Sequence, residues 1–243
     1  MSSFWKNKPL EKVIRYPIEY HQIHQEKVKP SKRLEIQEAN DLFFVTNETS
    51  SLTTFYIYFC IGVFALFFIW ITASQKNSSE EIISFYAISL PFLLIGLFHL
   101  IVFFLVPVKE IVLDRINSKI TYPRLFVNKE HRTIQFDSLH VFETMTTSGD
   151  FAATGKKIRI RDRKYSYTWD LESSKPEEYW SFMVWYMDKN RPLPPGSAFD
   201  PYRKRDFERR KKEGFPKPLY ASVIETPEAT VAQQKERKLI GGW

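Results

Sequence analysis

The chain predicts an α+β membrane protein: a two-helix transmembrane hairpin, a cytosolic antiparallel β domain with a C-terminal amphipathic helix, and a basic helical tail. Three observations predict it. Two runs, 52–73 and 82–108, carry no Asp, Glu, Lys or Arg in a chain that is 26% charged. From residue 109 onward, short apolar and polar positions alternate with period two. Residues 203–212 then hold seven Lys/Arg against two acids, after a proline-rich stretch.

Taken in order, residues 1–51 mix charges in near balance and lack a long apolar periodicity, so they read as a partly ordered cytosolic arm. They include "EYHQIHQE", with Glu19, His21, His24 and Glu26. His-x-x-His can place two imidazoles on one helix face, but the zinc-protease pattern needs His-Glu-x-x-His. A polar helix face is the plainer reading, and neither metal nor cofactor is expected.

Residues 52–108 read as the hairpin, with spans at about 52–73 and 82–106, each long enough for a hydrocarbon core of about 30 Å. Tyr56, Tyr58, Trp70, Phe85 and Tyr86 place aromatic rings toward the span ends, as interfacial anchoring prefers. Pro91 and Gly96 suit helix packing. His99 has no further ionisable partner in either run, which argues against a proton pump. The link 74–81 offers only Lys76, whereas Lys32, Arg33, Lys109, Arg115, Lys119 and Arg124 flank the outer ends. That asymmetry predicts a multi-pass inner-membrane protein with both termini cytosolic. The single cysteine, Cys60, falls in the first run, so no intramolecular disulfide can form.

Residues 109–189 read as the β domain. "KEIVLDRINSKITY" has the pattern of a hairpin turning at Asn-Ser, and strands are expected at 132–136, 139–146, 156–162 and 165–171. In "KKIRIRD" Ile158 and Ile160 alternate with Arg159 and Arg161, so one face should be buried and the other wet. "SSKPEEYWSFMVWYMDKN" predicts a helix capped at Ser174 with Pro176 and Glu177 in its first turn. Its stripe is Tyr179, Phe182, Met183, Tyr186 and Met187, at helical spacing. This element order resembles bacterial pleckstrin-homology-like domains, a barrel closed by one helix; a curled sheet on one helix is the alternative. The resemblance implies a headgroup or acidic-partner site in loops near Arg115 and Lys119 and near Arg159, Arg161, Arg163 and Lys164. A solvated hairpin tip beside an anionic leaflet is the plainer account of those charges.

Residues 190–243 read as a proline-rich linker and basic helical tail. Asp200 caps a helix that Gly214 stops, and Thr226 caps a second that Gly241 stops. Residues 189–243 carry 13 Lys/Arg and 7 Asp/Glu, a net +6 of the total +7. Nucleic-acid binding would want a fold or an aromatic platform with the charge, and neither is legible, so no nucleic-acid partner is expected. Arg203, Lys204, Arg205, Phe207, Arg209, Arg210, Lys211 and Lys212 are the candidate contacts to a partner or to the domain's own surface.

The run "RPLPPGSAFDPYRKRDFERRKKEGFPKPLYASVIETPEATVAQQKERKLIGGW" resembles the C-terminal signature of a family of bacterial two-span inner-membrane proteins encoded near type VI secretion and Rhs toxin genes. No nucleophile motif, phosphate loop or paired-cysteine site points to an enzyme. With the resemblance, the expectation is a non-enzymatic protein whose partners are membrane lipids and a cognate protein, a toxin or a secretion component. An immunity protein is the first reading. An accessory scaffold for effector loading or a lipid-headgroup module are the alternatives.

Overall fold

The computed structural model describes residues 8–15, 22–28, 36–47, 110–123, 131–148, 153–162, 167–171 and 175–243, with isolated positions between 60 and 98. The chain divides into two units: residues 1–46 with 110–243, and residues 47–109.

In the first unit the described strands form two larger sheets and one short parallel pair. The five-stranded sheet runs in the order β3 (Ile36–Ala39), β4 (Phe43–Asn47), β5 (Glu110–Asp114), β6 (Lys119–Pro123), β7 (His131–Gln135). β5 and β6 form the expected hairpin. Asp114 receives Asn117 N–H at 3.0 Å, and Ser118 takes a positive φ of 52° to close the turn. The second sheet is β1 (Lys8–Pro9), β8 (Leu139–Ser148), β9 (Ala153–Asp162), β10 (Tyr167–Leu171), antiparallel throughout. The period-two reading of β9 is visible in its side chains: Ile158 and Ile160 are fully buried, while Lys157 and Arg161 are exposed.

Residues 1–51 are more than an arm. β3 and β4 are part of the five-stranded sheet, β1 edges the second sheet, and β2 (Val13–Ile14) pairs in parallel with β11 (Ala221–Ser222) near the other end of the chain.

Helix α1 (Pro176–Met187) is the core of the unit. Its N-cap is Lys175, with no side-chain cap bond, and Ser174, the expected cap, lies outside the described residues. The expected stripe is buried apart from half-buried Tyr179, but so are Trp180, Ser181, Val184 and Trp185. A helix buried all round needs cover on both sides. The sheets supply one side. Residues 190–226 supply the other: Phe199 packs on Phe182 and Tyr186, and Tyr220 meets Phe136, which stacks on Trp180.

The segment before β3 is held against this cover. Ala198 N–H donates to Ile23 C=O at 2.9 Å, and Gln25 N–H to Ser197 Oγ at 3.0 Å. Gly196 makes the approach possible: its φ is +130°, and a Cβ there would lie 2.5 Å from Ile23 backbone atoms.

The transmembrane hairpin is corrected by this structure. Among the described residues no helix is long and apolar enough to cross a membrane. The multi-pass inner-membrane placement with both termini cytosolic, which rested on those spans, goes with it. Most of the expected spans 52–73 and 82–106 lies outside the described residues, as do Glu19 and His21.

Gly196→Ala should destabilise the first unit by about 1–3 kcal/mol, the cost of a side chain in a glycine-only backbone region. Chemical denaturation of the purified chain measures it. An unchanged midpoint would mean that the contact with Ile23 holds nothing in place.

Candidate functional site

The proline-rich linker 190–196 is fixed from both ends. Prolines donate no backbone N–H, so their neighbours' carbonyls need donors from elsewhere. Trp185 Nε1–H donates to Pro192 C=O at 2.7 Å, and Arg203 donates to the carbonyls of Leu193 at 2.9 Å and Pro194 at 2.8 Å. Just before the linker lies fully buried Asp188, which accepts from Arg191 Nε and from the N–H groups of Asn190, Leu219 and Tyr220. Arg191 continues to Thr226 Oγ1 at 2.8 Å and Tyr220 C=O at 2.7 Å.

Helix α2 (Asp200–Lys212) carries the basic run. It ends as the sequence predicts, at Gly214: Gly214 N–H reaches Lys211 C=O at 2.9 Å, and Phe215 N–H reaches Arg210 C=O at 2.8 Å. Asp200 opens the helix inside its first turn and pairs with Arg203 at 2.8 Å. The second tail helix, α3 (Val231–Gly241), is capped by Thr230, whose side chain accepts from Gln233 N–H, and not by Thr226.

The inner side of α2 is a buried ion network. Arg210 donates to Asp206 at 2.8 Å and makes a two-pronged pair with Glu228 at 2.7 and 2.8 Å, with the rings of Phe207 and Phe215 each 5.8 Å from its guanidinium. Arg209 also holds Asp206, at 2.8 Å. Arg115, entirely buried, lies 3.7 Å from Asp206 and donates to the carbonyls of Trp185, Tyr186 and Arg191. Arg237 closes the cluster at 3.4 Å from Glu228, under Trp243 at 4.0 Å. Burial by itself would push the Asp206 carboxyl up, but Arg115, Arg210 and Arg209 together hold it below the ordinary value. Burial pulls the Arg115 guanidinium down, with Asp206 opposing.

The expected partner contacts therefore separate into two groups. Phe207 and Arg210 are buried, and Arg203, Arg205 and Arg209 are engaged within the chain, Arg205 on Asp41 of the β3–β4 turn. Lys211 pairs with Glu236 of α3 at 2.5 Å. Lys204 and Lys212 are exposed, with no ion pair among the described residues. A shallow depression on this side is lined by Arg205, Glu208, Arg209, Lys212 and Glu213.

Of the expected headgroup residues, the four that are described do not form one group. Arg115 presents no face to a ligand, and Lys119 is exposed at the start of β6 in the five-stranded sheet. Arg159 is bound to Asp170 at 2.7 Å on the other sheet, with exposed Arg161 on the same face. Arg163 and Lys164 lie outside the described residues. Among the described residues no group of three or more His, Cys, Asp or Glu could hold a metal ion.

Asp41, Asp188, Asp206 and Glu228 were not singled out from the sequence. Only Asp206 left a local trace, four residues before Arg210 on one helix. No family model, curated protein or solved structure matches the chain.

Breaking the network from one side should be costly. Arg210→Ala leaves two buried carboxylates short of a partner and should cost about 3–5 kcal/mol, whereas Lys212→Ala should change stability by less than about 0.5 kcal/mol. Paired urea melts decide this, and equal effects would remove the structural role from Arg210.

The network also predicts a pH dependence. A carboxyl held below its unfolded value stabilises the fold above that value, so the Asp206 contribution is present above pH 3.8 and lost as pH falls through its lower folded value. Thermal melts across that range should show the loss, and Asp206→Asn should flatten it.

Proposed function

We propose that the protein acts by binding, through the outward faces of α2 and α3, to an acidic surface of a partner protein. The observation that supports this is a division of labour between the two cations. Each arginine of the tail (Arg191, Arg203, Arg205, Arg209, Arg210 and Arg237) is engaged inside the chain. Lys204, Lys212, Lys217, Lys235 and Lys238 are exposed and make no ion pair among the described residues.

The chemistry suits the division. Arginine's planar fork matches carboxylates and carbonyls two at a time, while lysine is a strongly hydrated point charge on a flexible stem. The arginines build the surface and the lysines charge it. Apolar side chains stand among those lysines: Val231 is 75% exposed and Leu239 86%, two turns apart on α3, with Ile240 beside them. Apolar positions within a polar, charged rim are the composition of a partner-binding patch. The resemblance of the tail would make the partner a toxin from a type VI or Rhs system, and the role immunity.

The test separates surface from fold. Lys204→Glu, Lys212→Glu, Lys235→Glu and Lys238→Glu combined should leave the melting temperature unchanged. In a strain deleted for the gene, this variant should fail to prevent killing by siblings that the natural chain prevents, and deleting the adjacent toxin gene should restore survival. A deletion strain that survives but no longer kills competitors would replace immunity by effector loading. A lysine variant as active as the natural chain would end the binding proposal.

A further inference from the structure

The sheet face opposite α1 has its own chemistry. α1 packs on the side of β9 that carries Ile158 and Ile160, and Leu139 and Val141 of β8 are buried with them. The residues between these point the other way. Antiparallel register sets His140 across from Arg161 and Phe142 across from Arg159, and paired residues share a face. His140, Lys157 and Arg161 are exposed there, and Phe142 is half-buried.

Two features of this face suggest its ligand. The His140 and Phe142 rings are nearly parallel, 16° apart, with centroids separated by 6.4 Å. That is about the spacing of alternate residues along a β-strand, and an unpaired nucleic-acid strand whose bases are splayed apart can lay one base on each ring. The cations Lys157, Arg159 and Arg161 alternate along the adjacent strand against, among the described residues, one carboxylate, Asp170, which accepts two hydrogen bonds from Arg159 and holds its guanidinium fixed. Aromatic rings for bases beside a line of cations for phosphates is how sheet surfaces hold unpaired strands.

We propose that the outer face of β8 and β9 binds single-stranded nucleic acid, with His140 and Phe142 stacking on bases and Lys157 and Arg161 contacting phosphates. The rings favour this over an acidic peptide or a lipid surface, which would use the cations and leave the parallel rings without a role. The expectation of no nucleic-acid partner was drawn from the basic tail, where neither a nucleic-acid-binding fold nor an aromatic platform is legible. The fold assembles one from two residues that in sequence are only neighbours but one. This surface is separate from the lysines of α2 and α3, so it stands or falls independently of the partner-protein proposal.

The experiment is fluorescence anisotropy on the full chain with a labelled uridine dodecamer and a labelled thymidine dodecamer. A base-paired duplex, a polyglutamate peptide and phosphatidylglycerol vesicles serve as rivals. Binding of either dodecamer, weakening as salt rises, is expected, and the tighter of the two distinguishes RNA from DNA. His140→Ala, at an exposed position, should keep the melting temperature and weaken binding about tenfold without changing the salt slope. Arg161→Glu should weaken binding and reduce the slope by about one. No binding, or a duplex, polyglutamate or vesicles bound as tightly as the dodecamers, would overturn the proposal. So would a His140→Ala chain that binds like the natural one.

Discussion

One carboxylate, Asp206, is shared by Arg115, Arg209 and Arg210 where solvent barely reaches it. Placing such charges out of water costs several kcal/mol per ion, and their attraction offsets this only when geometry is tight and remaining hydrogens find acceptors. Here the acceptors come from distant parts of the chain. Arg115 stands at the β5–β6 turn and caps the last carbonyls of α1, while Arg210 reaches Glu228 beyond the short strand β11. The network therefore fixes how the turn, the core helix and the tail sit together. A slightly shifted tail would leave buried charges unpaired, so the cluster discriminates between arrangements more than it adds net stability.

The same constraint explains why the core helix is buried nearly all round. Without the tail, Trp185 and Val184 would meet water. With it, Trp185 Nε1–H finds Pro192 C=O, and the far side of α1 becomes core. Tyr220 is tied in as well: burial pushes its hydroxyl well above the ordinary value, with a hydrogen bond to Asp137 acting in the same direction.

Local patterns were legible where one face meets water and the other does not. The Ile158/Ile160 alternation, the Asp114–Ser118 turn and the Gly214 stop are each written in a few adjacent residues. The long-range pairings were not. "KPLEKVIR" carries too little apolar periodicity to announce β1 and β2, whose partners lie more than a hundred residues away. Nor does a run of arginines show which are buried: Arg210 and Lys212 look equivalent in sequence, and only the positions of Asp206 and Glu228 separate them. The two uncharged runs were read as spans from their length, apolarity and aromatic ends, whereas among the described residues no helix is long and apolar enough to cross a membrane. The aromatic pair on the second sheet was missed because His140 and Phe142 become a surface only when β9 is laid beside them.

The insertion of residues 47–109 between neighbouring strands has a consequence for synthesis. β4 leaves the ribosome some sixty residues ahead of β5, a delay of about 3–12 s at 5–20 residues per second. β2 waits longer still for β11, which lies close to the end of the chain. During those seconds the first strands are open edges, able to pair with whatever strand is near. Nascent chains of this protein on one message are thus exposed to each other's unpaired β3 and β4 until the sheet closes, and slower translation lengthens that exposure.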